Sequence, residues 1–247
     1  RPEAVIALNT ALLKRTFDLN WELKPGHLCP AVPGRLDYLI HAKELLGDHT
    51  TRNATMLDIG TGASLIYPLL ATAAFDWDCT ASDVDEASLD FAERLLLLNP
   101  TLKTTTLRGQ PFRSNVLEHI IEKDDYFDLV VCNPPFHKTQ SDAEQQNIRK
   151  NKNLHNSETL AHNFGGNASE LWYKGGEVAF IKTMALESAR FKMQVGWFTC
   201  LVSNAEHLKT IKRYVRKSDP TEIRVVDMAQ GNKQSRFIAW TFKTPVK

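Results

Sequence analysis

A regular alternation of strand-like and helix-like segments dominates the chain between residues 55 and 132. Four short apolar runs alternate there with three segments of helical periodicity. Strands that are joined through helices run parallel to one another, with the helices packed on the faces of the sheet. The sequence therefore predicts a doubly wound α/β fold, with strands at 56–59, 77–82, 103–107 and 126–132, and helices at 63–74, 86–98 and 115–121.

Further elements flank this core on both sides. Helical patterns cover residues 2–17 and 35–46, and after the fourth strand a polar stretch from 138 to 173 has too few apolar residues to fold alone. The rest of the chain predicts a helix at 177–188, a strand at 195–202, a helix at 205–217 and closing strands at 222–227 and 237–242. We expect a mostly parallel, seven-stranded sheet in one domain over residues 1–247. Its N-terminal helical segment would be 1–50, and its polar insertion 138–175 would follow the fourth strand.

Composition narrows the classes of partner. Lys and Arg number 30 against 29 Asp and Glu, which gives a net charge of +1, so a nucleic-acid site would have to be a local patch. No apolar run reaches the roughly 20 residues of a membrane span, and no signal peptide is evident. We expect a cytoplasmic, monomeric protein without a membrane partner, and a natural chain that extends upstream of residue 1. The four cysteines lack metal-ligand spacing, so no metal site is expected.

The segment Asp128–His137, DLVVCNPPFH, combines a buried strand with a rigid turn. Asn133 stands at the carboxyl end of that strand, where open α/β sheets bind ligands. Its side-chain carbonyl and the backbone carbonyl of Pro134 can both accept hydrogen bonds from one amino group, while the ring of Phe136 stacks on the same group. The pattern favours a site for an exocyclic amine on a flat heterocycle, formed by Asn133, Pro134, Pro135 and Phe136. An ordinary proline turn followed by a core aromatic is the alternative.

A glycine turn follows the first strand of the alternation. In the run DIGTG, Gly60 and Gly62 suit a tight turn that approaches a ligand closely, and the acid Asp83 follows Asp58 by 25 residues at the end of the next strand. A carboxylate at that place can bind both hydroxyls of a ribose. Leu65 occupies the place of the third glycine in a dinucleotide fingerprint, so the pattern indicates a nucleoside and leaves a pyrophosphate open. A capping role for Asp83 beside a simple turn is the alternative.

Taken together, these motifs resemble the Class I S-adenosylmethionine-dependent methyltransferases that methylate amino groups. More narrowly, six segments resemble the bacterial 23S ribosomal RNA adenine-N(6) methyltransferase family, whose eukaryotic relatives modify U6 small nuclear RNA. These segments are PGRLDY, DIGTGASLIYPLL, CNPPFH, NFGGNASELWYKGGEVAFI, LVSNAEHL and AQGNKQSRFIAWTF. The resemblance extends from Pro2 to Phe242. It implies a Rossmann-like methyltransferase fold, S-adenosylmethionine as cofactor with S-adenosylhomocysteine as product, RNA as partner and a part in rRNA processing.

The resemblance also implies roles for single residues. Arg35 would bind the methionine carboxylate, Asp83 the ribose hydroxyls, and the remaining cofactor contacts would come from Asp58, Gly60, Gly62 and Asn133. Substrate RNA would contact His137, Arg149, Lys150, Lys152 and Arg236. His137 is expected to shape the pocket rather than to act as an essential base, because a methylated exocyclic ammonium loses its proton readily to water.

Three alternative hypotheses for the function stay open. An NAD-dependent oxidoreductase would share the glycine turn and Asp83, but the missing third glycine and the NPPF run argue against it. A non-catalytic RNA-binding module could keep the nucleoside pocket, although the intact NPPF run disfavours that class. Among methyltransferases, a protein-glutamine acceptor or a U6-type RNA are the alternatives to ribosomal RNA.

Overall fold

The computed structural model describes residues 2–47, 54–103, 105–135, 173–230 and 233–244. Their central feature is one seven-stranded sheet with the strand order β3-β2-β1-β4-β5-β7-β6. The strands are β1 (Thr55–Ile59), β2 (Asp78–Asp83), β3 (Thr106–Gly109), β4 (Phe127–Cys132), β5 (Val195–Leu201), β6 (Glu222–Gln230) and β7 (Lys233–Thr241). The first five strands pair in parallel, and β7 pairs antiparallel with both β5 and β6. The predicted mostly parallel α/β sheet is confirmed.

Helices cover both faces of this sheet. They are α1 (Pro2–Phe17), α2 (Val32–Glu44), α3 (Ile66–Phe75), α4 (Glu86–Leu97), α5 (Gly176–Ser188) and α6 (Leu208–Arg216), with 3₁₀ turns at Ala189–Phe191 and Ala205–His207. Side chains of α1 to α4 pack on one face, and those of α5 and α6 pack on the other. Successive residues of β4 serve the two faces in turn, since Leu129 and Val131 join the first cluster and Val130 joins the second. All six residues of β4 are therefore buried.

The predicted helix at 115–121 is wrong. These residues form turns, although Val116, Leu117 and Ile120 are buried as a helical face would be. The carboxylate of Glu187, from α5, accepts hydrogen bonds from the backbone N–H groups of Val116, Leu117 and Glu118 at 2.6–3.0 Å. Because this distant side chain satisfies the backbone, the segment buries its apolar residues without a helix.

Several element boundaries also differ from the prediction. The third helix begins at Ile66 rather than at 63, because Leu65 has a left-handed backbone with φ 47°. The second helix spans Val32–Glu44 instead of 35–46, with a proline in its first turn. The closing strands are longer than expected and pair as a hairpin from Glu222–Thr241 to Gln230–Lys233. Nearly all of the predicted insertion, residues 138–175, lies outside the described residues. Within the described part of the chain, no helix has the length and apolarity that crossing a membrane requires.

Gly196 lets β4 and β5 approach closely, and this gives a test of the fold. A Cβ added at Gly196 would lie 2.5 Å from the backbone carbonyl oxygen of Asp128, and neither strand can retreat without disturbing the sheet. We expect Gly196→Ala to lower the free energy of unfolding by about 1–3 kcal/mol in urea titrations. Gly109→Ala is the matched control, because its new methyl group would meet only the Leu89 side chain, at 3.9 Å. Equal stability of the two variants would contradict this packing.

Candidate functional site

A cavity of about 610 Å³ opens at the carboxyl ends of β1, β2 and β4. The strand order changes direction at β1, with β2 on one side and β4 on the other, and such a crevice is where open α/β sheets bind ligands. The predicted site residues that line it are Arg35, Gly60, Gly62, Asp83, Asn133, Pro134 and Pro135. The fold thus brings the glycine turn and the segment Asn133-Pro134-Pro135 to one cavity.

The glycine turn after β1 is tied to the end of β2. Gly60 and Gly62 both have positive φ, 72° and 60°, which L side chains rarely adopt. The N–H groups of Gly60 and Thr61 both donate to the carbonyl oxygen of Ser82 at 2.9 Å. The N–H of Gly62 donates to the Asp83 carboxylate at 2.8 Å. These bonds fix the floor of the cavity.

The two interpretations of Asp83 are compatible. Its Oδ2 accepts from Gly62, and its Oδ1 accepts from the N–H of Asp85 at 2.9 Å, so the carboxylate does hold the adjoining turns. It also lines the cavity. Each carboxylate oxygen can accept more than one hydrogen bond, so these contacts leave capacity for ligand hydroxyls. A role in ribose binding stays a prediction.

Asp58 lies in β1 beneath the turn and is fully buried. Neither of its carboxylate oxygens has a hydrogen-bond partner among the described residues. Burial raises the pKa of Asp58 to about 7; the nearby Thr61 hydroxyl and Arg35 oppose this rise, and the charge of Asp83 adds to it. A buried carboxylate without partners destabilises the folded state unless a proton or a cation joins it.

Arg35 reaches the cavity from α2. Its guanidinium donates to the hydroxyl of Tyr67 at 2.9 Å and lies 5.6 Å from the centroid of the same ring. Burial raises the pKa of Tyr67 well above its ordinary value, so the hydroxyl stays protonated and acts as the acceptor for Arg35. The guanidinium keeps other N–H groups for an anionic ligand, because arginine has five donors.

Two buried hydroxyls hold the end of β4, directly before Asn133. The N–H of Cys132 donates to Tyr38 Oη at 3.3 Å, Tyr38 Oη lies 2.6 Å from Thr199 Oγ1, and Thr199 donates to the carbonyl of Val130 at 2.8 Å. Because the Thr199 proton goes to Val130, Tyr38 is the donor in the middle bond. Burial raises the pKa of Tyr38 well above its ordinary value, which keeps that proton in place. We call this series the hydroxyl chain.

Sequence reasoning gave no role to Tyr38 or Thr199. Tyr38 belongs to the PGRLDY segment, and Thr199 interrupts an apolar strand, but 161 residues separate them. The cavity also has a far side that the sequence did not predict, where Arg113, Lys174 and Phe180 line it and the ring of Tyr173 meets Phe180 edge-on. Only their nearness in the fold identifies these residues as part of the site.

Most of the residues predicted to contact the substrate are not tested by this geometry. Phe136, predicted to stack on the base, and His137, Arg149, Lys150 and Lys152, predicted to contact the RNA, lie outside the described residues. Arg236 is described and lies on β7, where it pairs with Asp227 of β6 at 3.6 Å. It is not among the residues that line the cavity. Among the described residues, no group of three His, Cys, Asp or Glu side chains could hold a metal ion.

Comparison with known proteins connects this geometry to a family. A family model described as RNA methyltransferase matches residues 1–244. A protein of Saccharophagus degradans named ribosomal RNA large subunit methyltransferase F is 46% identical, over 97% of this chain and 82% of its own length. A protein of the same name from Colwellia psychrerythraea is 44% identical, over 98% of this chain and 85% of its own length.

Solved structures with the same fold agree with these sequence relatives. The catalytic domain of human Mettl16 in complex with hairpin 1 of the MAT2A 3′UTR has a TM-score of 0.82 and 28% identity, and the match covers 100% of this chain and 82% of that one. The N-terminal domain of human METTL16 in complex with SAH has a TM-score of 0.74 and 25% identity, over 98% of this chain and 83% of that one. The arrangement of strands and helices is therefore shared with proteins solved in complex with RNA and with SAH.

The hydroxyl chain predicts coupled effects on stability. Tyr38→Phe leaves the buried N–H of Cys132 unpaired, and Thr199→Val removes the donor to Val130, so we expect each change to lower the free energy of unfolding by about 1–3 kcal/mol. Both hydroxyls belong to one hydrogen-bonded series, so their effects should not add. The double variant should lose less free energy of unfolding than the two single variants together, by at least about 0.5 kcal/mol. Urea unfolding of the four proteins measures this. Strict additivity would show that the hydroxyls act independently.

The buried carboxylate predicts an unusual dependence of stability on pH. Because the pKa of Asp58 is about 7 in the folded protein and near 3.8 in the unfolded chain, the folded state keeps a proton that the unfolded state releases. The contribution of Asp58 to the free energy of unfolding is complete below pH ~4. It falls by about 4 kcal/mol as the pH rises to ~7. We expect Asp58→Asn to flatten the stability profile over that range, measured by urea unfolding at several pH values. A profile unchanged by the substitution would refute the assignment.

Proposed function

This chain belongs to the RNA methyltransferase family, and from that membership we propose that it transfers a methyl group from S-adenosylmethionine to the exocyclic N6 amino group of an adenine in 23S ribosomal RNA. The observation that carries the proposal is the shared cavity, which is lined both by the glycine turn with Asp83 and by Asn133 and Pro134. Donor and acceptor sites must adjoin for a direct transfer.

Three charged side chains around the glycine turn fit the proposed cofactor. Arg35 supplies a cation for the methionine carboxylate, and bidentate binding suits a guanidinium. Asp58 is a buried carboxylate without a partner among the described residues, and the amino group of the cofactor is a cation that would match it. Asp83 offers acceptor capacity for the ribose hydroxyls. The set of charges around the turn is thus complementary to an amino acid joined to a nucleoside.

The residues after β4 would orient the acceptor. The side-chain carbonyl of Asn133 and the backbone carbonyl of Pro134 accept hydrogen bonds from the two N–H groups of the adenine amine, which directs the nitrogen lone pair toward the methyl group. When bound, the cofactor supplies that methyl group on a sulfonium, so one N–C bond forms as one C–S bond breaks, and positive charge passes from sulfur to nitrogen. The ammonium then loses a proton to water. The protein contributes by aligning the amine with the methyl group. Phe136 would hold the base in place by stacking on it.

The relatives favour ribosomal RNA over the other acceptors. Those at 44–46% identity carry the name ribosomal RNA large subunit methyltransferase F, whereas the human structural relatives are only 25–29% identical. We propose that His137 and the cluster Arg149, Lys150 and Lys152 contact this RNA, and that the protein acts as a monomer in the cytoplasm.

Asn133→Ala and Asp83→Ala should separate the two halves of the site. Loss of the Asn133 amide misaligns the acceptor, so methyl transfer to ribosomal RNA should fall by about 10²-fold or more, far more than S-adenosylhomocysteine affinity, since Asn133 is one of several cofactor contacts. Asp83→Ala removes a ribose partner and unties Gly62, so it should weaken that affinity. Labelled methyl transfer and calorimetry measure both quantities. An Asn133→Ala enzyme that methylates adenine at near the wild-type rate would refute the mechanism.

A further inference from the structure

Helix α6 presents an exposed face made of cations. Its sequence, LKTIKRYVR, buries Ile211 and Val215 against the sheet. Every exposed position from residue 208 to 217 is a lysine or an arginine, namely Lys209, Arg213, Arg216 and Lys217, and Lys212 is half-buried beside them. The whole chain has a net charge of only +1, so this is a strong local excess. We call these five residues, with Lys182 of α5 and Tyr214, the α6 basic surface.

The cations of this surface lack carboxylate partners in the part of the chain that the structure describes. The ion pairs that involve residues 173–230 or 233–244 are Arg190–Glu118, His207–Glu177, Arg224–Glu222 and Arg236–Asp227, and none includes a cation of the α6 basic surface. Like charges three and four residues apart destabilise a helix. The helix dipole favours Arg213 and Arg216 in the last turn but disfavours Lys209 in the first. Helix stability alone therefore does not account for the arrangement.

Tyr214 gathers three of these cations around one ring. The Nζ of Lys182 lies 5.2 Å from its centroid, the guanidinium carbon of Arg213 5.4 Å, and the Nζ of Lys217 5.8 Å. Cation–π contacts at these distances restrict long side chains that would otherwise move freely. Because Lys182 comes from α5, the α6 basic surface spans two neighbouring helices and has a defined shape.

The surface is connected to the cavity through α5. The buried carboxylate of Glu177, in the first turn of α5, accepts from the N–H of Ser203 at 2.6 Å and bonds His207 Nδ1 at 2.7 Å. This ties the start of α6 to the start of α5, at the carboxyl edge of the sheet where the cavity opens. Phe180 of α5 lines the cavity, whereas Lys182, two residues later on the same helix, lies on a different face and does not line it. An RNA strand that leaves the cavity and crosses over α5 would meet these cations.

We propose that the α6 basic surface binds the phosphate backbone of the substrate RNA outside the cavity that would hold the target nucleotide, an inference that rests on the proposed function. Phosphate contacts from lysine and arginine position a nucleic acid without reading its sequence. An acidic protein is the other polyanion to consider. Protein interfaces have an apolar core and are depleted in lysine, and the exposed positions of residues 208–217 are all cationic. The surface therefore fits a phosphodiester backbone better.

The test compares two triple variants with equal loss of charge. The first is Lys209→Gln, Arg213→Gln and Arg216→Gln, and the control is Arg15→Gln, Lys123→Gln and Lys192→Gln, three exposed cations outside the α6 basic surface. Binding to a 23S ribosomal RNA transcript is measured at several salt concentrations. For the α6 variant we expect affinity to fall about tenfold or more, and the slope of log K against log salt to decrease by about 2–3. The control should keep both values.

Further readouts separate this inference from the proposed function. S-adenosylhomocysteine affinity and kcat at saturating RNA should stay unchanged in the α6 variant while KM for RNA rises, since the contact lies outside the reacting groups. An α6 variant with wild-type RNA affinity and salt slope, in an enzyme that methylates adenine, overturns the inference alone. RNA binding that depends on α6 without any adenine methylation supports the inference and refutes the proposed reaction. Normal RNA affinity with lost binding to poly-glutamate would assign the surface to an acidic protein and overturn the inference.

Discussion

The carboxyl end of β4 is held on one side by two hydroxyl groups instead of by a neighbouring strand. The paired residues of β4 and β5 extend as far as Val130 and Phe198, after which β5 continues against β7 alone. The two strands diverge at the edge where the cavity opens, and this leaves a backbone donor and a backbone acceptor of β4 to be satisfied inside the core. The hydroxyl chain satisfies both, so Asn133 directly follows a fixed strand end.

Helix α2 connects this support to the opposite side of the cavity. Arg35 and Tyr38 are three residues apart and therefore lie on one face of the helix. Tyr67 of α3 contacts both, since it accepts a hydrogen bond from Arg35 and packs edge-on against Tyr38 with ring centroids 5.7 Å apart. A shift of α2 would move the guanidinium and the support of β4 together. The N-terminal segment, which lies outside the β/α alternation, thus sets the spacing between the two halves of the site.

The sequence was informative wherever a few adjacent residues determine the backbone. The glycine turn and the end of β4 before Asn133 could be predicted because glycine and proline restrict conformation locally, and the alternating pattern predicted the parallel strands. Contacts between distant residues could not be predicted this way. The apolar spacing at 115–121 indicated burial correctly but the wrong backbone, because Glu187 satisfies the N–H groups of Val116 and Leu117 from about 70 residues away. Tyr38 and Thr199 likewise meet only in the fold.

Three buried carboxylates differ in the hydrogen bonds that the fold gives them. Glu187 accepts three backbone N–H groups, and Glu177 has both a backbone donor and His207. These hydrogen bonds replace the hydration that the two carboxylates lost on burial, so both carboxylates stabilise the loops that they contact. Asp58 is as deeply buried as either, but neither of its oxygens has a hydrogen-bond partner among the described residues. The fold satisfies two of these carboxylates with hydrogen-bond donors, whereas burial without such donors raises the pKa of Asp58 to about 7, so that a proton takes the place of the missing donors.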